Sequence, residues 1–530
     1  MKKVRRMELL VGFIFLITSF LGCKKDLPSD SGDLALKSTS TTAPTEITVK
    51  TPTRTGIYTP GGTANIQVTV YPSTAIQNYT ISIISGSQYG TLANNVLTAK
   101  ANGVVVIKAV TADGNHWDTC AVNIANQLQT VTTTTAENAN YYVAPNGSDS
   151  NPGTISAPFA SLNKAWSVVS AGQLIYVRGG TYKYTSYSSK VSLTGKSGIS
   201  GKPIRLWNYP GETPVFDFSG CPGSSYQILF TINGDYLYLK GLKMIGAPQG
   251  SSGMGYGFYL NNSGYCTLEQ IESTKIAGEG FRLTGTTHDC LILNCDAHHN
   301  TTPLDATPYG EGDGFHLGTS VGNNNVFRGC RSWMNSDDGW DGYGTSGTTL
   351  FDNCWSFWNG YRPESTTSPV NWVTGGDGDG FKGNMSKTGG ITLTYQNCIA
   401  VHNRLFGFDK NETTDPEKFM NCTAVNNQLK GFHIYTTSAS VLKNNISYKN
   451  LLGYGDIPTG TNINHNTWNL SVTVSNSDFV SVDESQFALP RKADGSLPDI
   501  TAFKLTSSSP LRTQGISTDN VTATSLGALY

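Results

Sequence analysis

A glycine followed by phenylalanine or tryptophan recurs seven times between residues 257 and 432, and this repeat constrains the fold more than any other feature of the chain. The pairs are Gly257-Phe258, Gly280-Phe281, Gly314-Phe315, Gly339-Trp340, Gly380-Phe381, Gly407-Phe408 and Gly431-Phe432, separated by 23, 34, 25, 41, 27 and 24 residues. The shorter steps suit one coil of a parallel β-helix; the longer ones require loops, which fall at 301–312 and 359–377. A second marker, Cys295, Cys330, Cys354, Cys398, Cys422 and Asn445, follows the aromatic residue by 13 to 17 positions. Five residues further on stands an asparagine each time: Asn300, Asn335, Asn359, Asn403, Asn427 and Asn450. Three markers in phase predict stacked coils, with aromatic and cysteine columns inside and an asparagine ladder satisfying backbone groups at a turn. These columns are structural and receive no catalytic role.

Stacked coils lie about 4.8 Å apart, so residues at equal offsets from the aromatic residue become neighbours despite long separations in sequence. Two positions before it stand Asp313, Asp338 and Asp379 in three consecutive coils, with Glu279 flanking them. Like charges this close destabilise one another, so such a column requires a cation or raised pKa values. One position after the aromatic residue the column reads His316, Asp341, Lys382, Asp409, His433, and Asp337 adds a carboxylate beside Asp338. Asp313, Asp337, Asp338 and Asp341 together offer four hard oxygen ligands within two coils, which suits Ca2+ better than Mg2+. Lys382 shares a column with Asp341. It either neutralises the acidic cluster or serves as a general base, and the second role requires an amine brought toward neutrality by burial or a bound cation.

The rest of the chain reads as an exported, multi-part protein. Lys2, Lys3, Arg5 and Arg6 precede an apolar run from Leu9 to Leu21, so residues 1–22 are expected to be a lipoprotein signal peptide and Cys23 the lipidated residue. Residues 23–46 are rich in Ser, Thr, Ala and Pro and are expected to be a flexible tether. Short alternating runs such as Val104 to Ala109 make 47–125 a small β-sandwich, and 126–140, with four consecutive threonines, a linker. The β-helix is then expected over 141–530. Near its start Leu162, Ala165, Trp166 and Val169 follow Ser161 at helical spacing, which predicts a capped helix closing one end. The fold class is all-β. With 14% charged residues, 58 glycines and a net charge of -1, the chain presents no global field for nucleic acid, and any polyanion must be held locally. The nine cysteines after Cys23 show no metal or small-scaffold disulfide spacing and are expected to be buried thiols.

The Val70-Tyr71-Pro72 and Val104 to Gly114 stretches resemble bacterial immunoglobulin-like modules. From Tyr141 onward the chain resembles the family-9 polysaccharide lyases, pectate lyases and relatives, in Tyr142 to Asp149, Gly312-Asp313-Gly314-Phe315, Ser336 to Asp341, Gly380-Phe381-Lys382 and Leu489 to Ser496. That resemblance implies a right-handed parallel β-helix, Asp313, Asp337, Asp338 and Asp341 as Ca2+ ligands, and Lys382 as the Brønsted base. It also implies β-elimination on a 4-linked galacturonate of pectin, an acidic plant cell-wall polysaccharide. Arg404, beside ladder residue Asn403, is an expected uronate clamp, and Asp409 and His316 are expected to contact substrate. The expected setting is the bacterial cell envelope, lipid-anchored at the outer membrane or cell surface or otherwise secreted, as a monomer touching membrane only through the lipid on Cys23.

Two other classes fit parts of this pattern. A β-helical glycoside hydrolase would use paired carboxylates, and Lys382 argues against it. A non-catalytic surface carbohydrate-binding protein would not confine its ionisable columns to three coils. Among lyases, homogalacturonan and rhamnogalacturonan I both remain open at this stage.

Overall fold

The computed structural model describes residues 42–50, 56–57, 62–87, 89–100, 103–124, 136–224, 226–361, 376–385, 393–435, 439–517 and 525–529. The expected signal segment, Cys23, most of the tether, residues 126–135 of the linker and residues 362–375 of the second long loop lie outside them. The chain divides into two compact units, Met1–Ala125 and Asn126–Tyr530.

The first unit is built from small, mostly antiparallel sheets. Gly103–Thr111 pairs with both Tyr79–Ser85 and Trp117–Ile124, and Glu46–Lys50 pairs with Gln67–Tyr71. Alternation of side chains turns Ile47, Val70, Leu97, Val105, Ile107 and Val122 into one buried core. Pairing starts earlier than the tether boundary suggested: Thr42 bridges Ala75, and Thr45 N donates to Tyr71 O at 2.7 Å.

In the second unit three parallel sheets of twelve, ten and ten strands wind as a right-handed β-helix. Its third sheet carries the aromatic column in the register that the repeat predicts, Phe258, Phe281, Phe315, Trp340, Phe381, Phe408 and Phe432 being successive partners. Their rings stack, with centroids 4.6 to 5.3 Å apart. The cysteines at the entry to the second sheet are free and buried, and each thiol donates to carbonyls of its own and the preceding coil, as Cys330 Sγ does to Ile292 O at 3.3 Å.

Two sharp corners bound the second sheet, and each consumes one left-handed residue per coil. Before the cysteine column these are Asn294, Gly329, Asn353, Asn397, Asn421 and Asn444, with φ between 52° and 61°. Before the asparagine ladder they are His299, Met334, Trp358, His402, Asn426 and Lys449, with φ between 53° and 58°. Bulky side chains rarely adopt this conformation, so the ladder that follows must hold it in place. Asn335 Nδ2 donates to Asn359 Oδ1 at 3.0 Å, Asn359 Nδ2 to Asn403 Oδ1 at 3.0 Å and Asn427 Nδ2 to Asn450 Oδ1 at 2.8 Å.

At the N-terminal end the helix Leu162–Val168 forms as expected, with Ser161 Oγ accepting from Lys164 N at 3.1 Å and Leu162, Ala165 and Trp166 entering the core. Part of the expected linker also belongs here: Ala136 and Ala139 pack on the Tyr142, Tyr176 and Trp207 cluster. The other end departs from the sequence reading, which carried the β-helix to residue 530. Winding stops at Asn462–Asn464, and the chain then folds back over the outer face of the second sheet. Phe479, Phe487, Phe503 and Leu511 cover Trp355, Phe357, Ile399, Val401 and Val425 there. Arg491 and Arg331 both grip Asp296, at 2.6 and 2.9 Å, and hold this return segment to the coils. The ionisable columns lie on the third sheet instead.

Candidate active site

Register alone assembles the site. In the third sheet Arg282, His316, Asp341, Lys382, Asp409, His433 and Asp456 are successive strand partners, so one row of the sheet is a continuous line of ionisable side chains. The aspartates two positions before the aromatic column form a second row alongside it. Each gives Oδ1 to the next coil's backbone: Asp313 Oδ1 accepts from Asp338 N at 3.0 Å, Asp338 Oδ1 from Asp379 N at 2.6 Å and Asp379 Oδ1 from Phe406 N at 2.8 Å. These side chains are therefore ladder rungs, as the asparagines are, with a second oxygen still to be matched.

Asp313, Asp338 and Asp341 bring one carboxylate oxygen each within 4.8 Å of one another. Asp338 Oδ2 is buried, has no hydrogen-bond partner among the described residues and faces the Lys382 ammonium at 3.0 Å. Lys382 Nζ also stands 3.8 Å from Asp341 Oδ2 and 3.0 Å from Asp377 Oδ2. Asp337, the fourth expected ligand, is buried beside them but gives Oδ1 to Asp377 N at 2.6 Å and belongs to neither metal-compatible group among the described residues. A second such group, Glu279, Asp313 and His316, shares Asp313.

Electrostatics in this row are unbalanced. Burial, followed by the charges of Asp341, Asp338 and Glu279, holds Asp313 well above the ordinary carboxylate range. Burial also raises Asp337, with Asp338 and Asp313 adding to it, and raises Asp379, with Asp338 and Asp409 adding. Asp338 is pushed up to about 7 by burial, against the opposing pull of Lys382. At Lys382 burial favours the neutral amine, but Asp338, Asp341, Asp337 and Asp377 together outweigh it and keep the ammonium charged. One lysine does not neutralise this set. An all-oxygen group whose buried carboxylates share one ammonium and outnumber it fits a hard divalent cation such as Ca2+.

Other expected residues take definite positions. Arg404 lies half-buried at the edge of the site, its Nη1 donating to Asp377 O at 3.3 Å. Asp409, although paired in register with Lys382, accepts from Asn411 N at 2.9 Å and contacts His433 Nδ1 at 2.8 Å. His316 is buried between Glu279 and Asp313, at 3.2 and 3.3 Å. Asp377 was not singled out in the sequence, because it sits at the end of a long loop outside the repeat register. Arg282, ion-paired to Glu279, was also missed, although its place in the His316 column was available as a signal.

Comparison with known proteins agrees with this fold. Residues 141–455 match the family model described as "Pel9A-like, right handed beta helix region". Pectate lyase L of Dickeya chrysanthemi is 30% identical over 410 residues, covering 72% of this chain and 87% of the relative. The solved structure of pectate lyase Pel9A is 27% identical with a TM-score of 0.64, covering 74% of this chain and 96% of its own. A rhamnogalacturonan lyase structure is 29% identical with a TM-score of 0.61, covering 71% and 98%. A β-helix with this register and this row of carboxylates and lysine, matched over most of its length by such relatives, belongs to the Pel9A-like right-handed β-helix family and is a polysaccharide lyase.

Proposed function

We propose that the protein is a Ca2+-dependent lyase that cleaves 4-linked galacturonate in pectin by β-elimination, with Lys382 as the base and Asp313, Asp337, Asp338 and Asp341 as the cation-holding set. The observation that carries this reading is the Lys382 Nζ lying 3.0 Å from Asp338 Oδ2 and 3.8 Å from Asp341 Oδ2, an amine and a cation-ready carboxylate group side by side on the third sheet. Bound Ca2+ supplies positive charge that neutralises a uronate carboxylate and so acidifies its C5 proton.

Burial favours the neutral form of Lys382 and the facing carboxylates oppose it; a cation held by Asp338 and Asp341 would weaken that opposition and so favour the neutral amine. Neutral Lys382 takes the C5 proton onto Nζ, the released electron pair forms the C4–C5 double bond, and the C4–O bond breaks. The leaving oxygen takes a proton from solvent and the Lys382 ammonium returns one to solvent, so the net reaction consumes no water. Asp377 lies against Lys382 and Arg404 donates to the Asp377 carbonyl, and Arg404 is suited to a uronate carboxylate through its planar donor fork. Asp313 and Asp338, locked by the backbone donors of the next coil, hold their remaining oxygens in fixed directions.

A rhamnogalacturonan I backbone is the second reading, supported by the rhamnogalacturonan lyase structure that resembles this chain as closely as Pel9A does. Purified protein is to be assayed on polygalacturonate and on rhamnogalacturonan I by ultraviolet absorbance of the unsaturated product, with and without chelator. The expected result is an absorbance rise on polygalacturonate that chelator abolishes and Ca2+ restores. Activity confined to rhamnogalacturonan I would move the assignment to the second reading. Reducing ends without absorbance would mean hydrolysis and overturn both.

A further inference from the structure

Among the described residues Asp313 is the one carboxylate common to both metal-compatible groups, and its two oxygens are held by different partners. Oδ1 accepts from Asp338 N at 3.0 Å, while Oδ2 lies 3.3 Å from His316 Nδ1. The same Nδ1 lies 3.2 Å from Glu279 Oε1. Glu279 is in turn ion-paired to Arg282, whose guanidinium sits 4.8 Å over the Tyr256 ring. Arg282, Glu279, His316 and Asp313 thus form a chain of partners leading to the cation group.

A carboxylate that holds a cation is ionised and only accepts hydrogen bonds, so in the loaded site the ring nitrogen facing Asp313 Oδ2 would carry its proton. His316 Nε2 is buried and has no hydrogen-bond partner among the described residues. The polar contacts of this ring therefore run through Nδ1. We propose that His316 is a positioning residue for the cation: its Nδ1–H, itself oriented by Glu279, aims Asp313 Oδ2 toward Asp338 and Asp341. This rests on the reading of those aspartates as the Ca2+ site. Groups that orient metal ligands typically change metal affinity by about 10- to 100-fold when removed.

Two substitutions separate the ring nitrogens, since an asparagine amide nitrogen falls near the position of Nδ1 and a glutamine amide nitrogen near that of Nε2. Ca2+ is to be titrated calorimetrically into chelator-treated wild type, His316→Asn and His316→Gln, with thermal unfolding in chelator confirming that each is folded. His316→Asn is expected to bind within about 3-fold of wild type, and His316→Gln about 10- to 100-fold more weakly. Equal affinity in wild type and His316→Gln would overturn the positioning role. An asparagine variant that loses as much affinity as glutamine would also overturn it. Absence of Ca2+ binding by wild type itself would instead remove the parent reading, and this one with it. Should His316→Gln fail to fold, Glu279→Gln offers the same test, with weaker Ca2+ binding expected and unchanged affinity contradicting the proposal.

Discussion

Two polar ladders run through the same coils, one of asparagines at the second corner and one of aspartates on the third sheet. In the first, each Oδ1 accepts from the backbone and side-chain amides of the preceding rung; Asn403 Oδ1 takes Asn359 N at 3.2 Å and Asn359 Nδ2 at 3.0 Å. Each Nδ2 also reaches a carbonyl, as Asn359 Nδ2 does Ser332 O at 3.2 Å. That ladder is neutral and closed. In the second, Asp313, Asp338 and Asp379 make the backbone half of the same bond and carry a further oxygen and a negative charge. An amide there would complete the rung, so the carboxylate is a structural disadvantage whose use lies in what it binds.

The largest expected effect comes from removing the amine that faces the open ladder. Lys382→Ala should lower kcat by about 10²- to 10⁴-fold with the fold intact, read as the initial rate of product absorbance alongside circular dichroism. Residual turnover near wild type would take Lys382 out of the base role. Importing a charge into the closed ladder should hurt stability instead. Asn359→Asp loses its donors to Ser332 O, Ser356 Oγ and Asn403 Oδ1 and leaves a buried charge, at a cost of about 3–5 kcal/mol in denaturant unfolding. A milder loss would mean that the two ladders are electrostatically alike.

The smallest effect is a pH dependence of the metal-free protein. Asp313, Asp337, Asp338 and Asp379 have folded pKa values above their ordinary range, so the folded state binds more protons than the unfolded one. Their contribution is fully present below about pH 4 and is lost as pH rises through the folded values, that of Asp338 being about 7. In chelator, Tm should therefore fall between about pH 4 and 7, and saturating Ca2+ should flatten the fall. A chelated Tm that rises over this range would show the carboxylates to be balanced without a cation.

Much of this architecture was legible because a β-helix converts sequence offset into position. Gly-aromatic pairs, cysteines and asparagines kept phase over six coils, so the columns of Asp313 and Lys382 could be read before any coordinates. What fell outside that phase was not legible. Asp377 lies at the end of a loop with no register, and the return segment after Asn464 has no repeat to reveal which face it covers. Arg491 could be quoted in the sequence as part of a resemblance, but its clamp on Asp296 joins residues 195 positions apart. Asp337 and Asp338 also look equivalent as neighbours in sequence, whereas alternate side-chain directions send one to the Asp377 backbone and the other to Lys382.

Calcium titration of chelator-treated wild type and Asp313→Asn by calorimetry tests most directly whether the open ladder exists to hold a cation. The account predicts one site in wild type that is lost, or weakened at least about 100-fold, in Asp313→Asn, with the variant still folded. Binding of equal strength in both would contradict it.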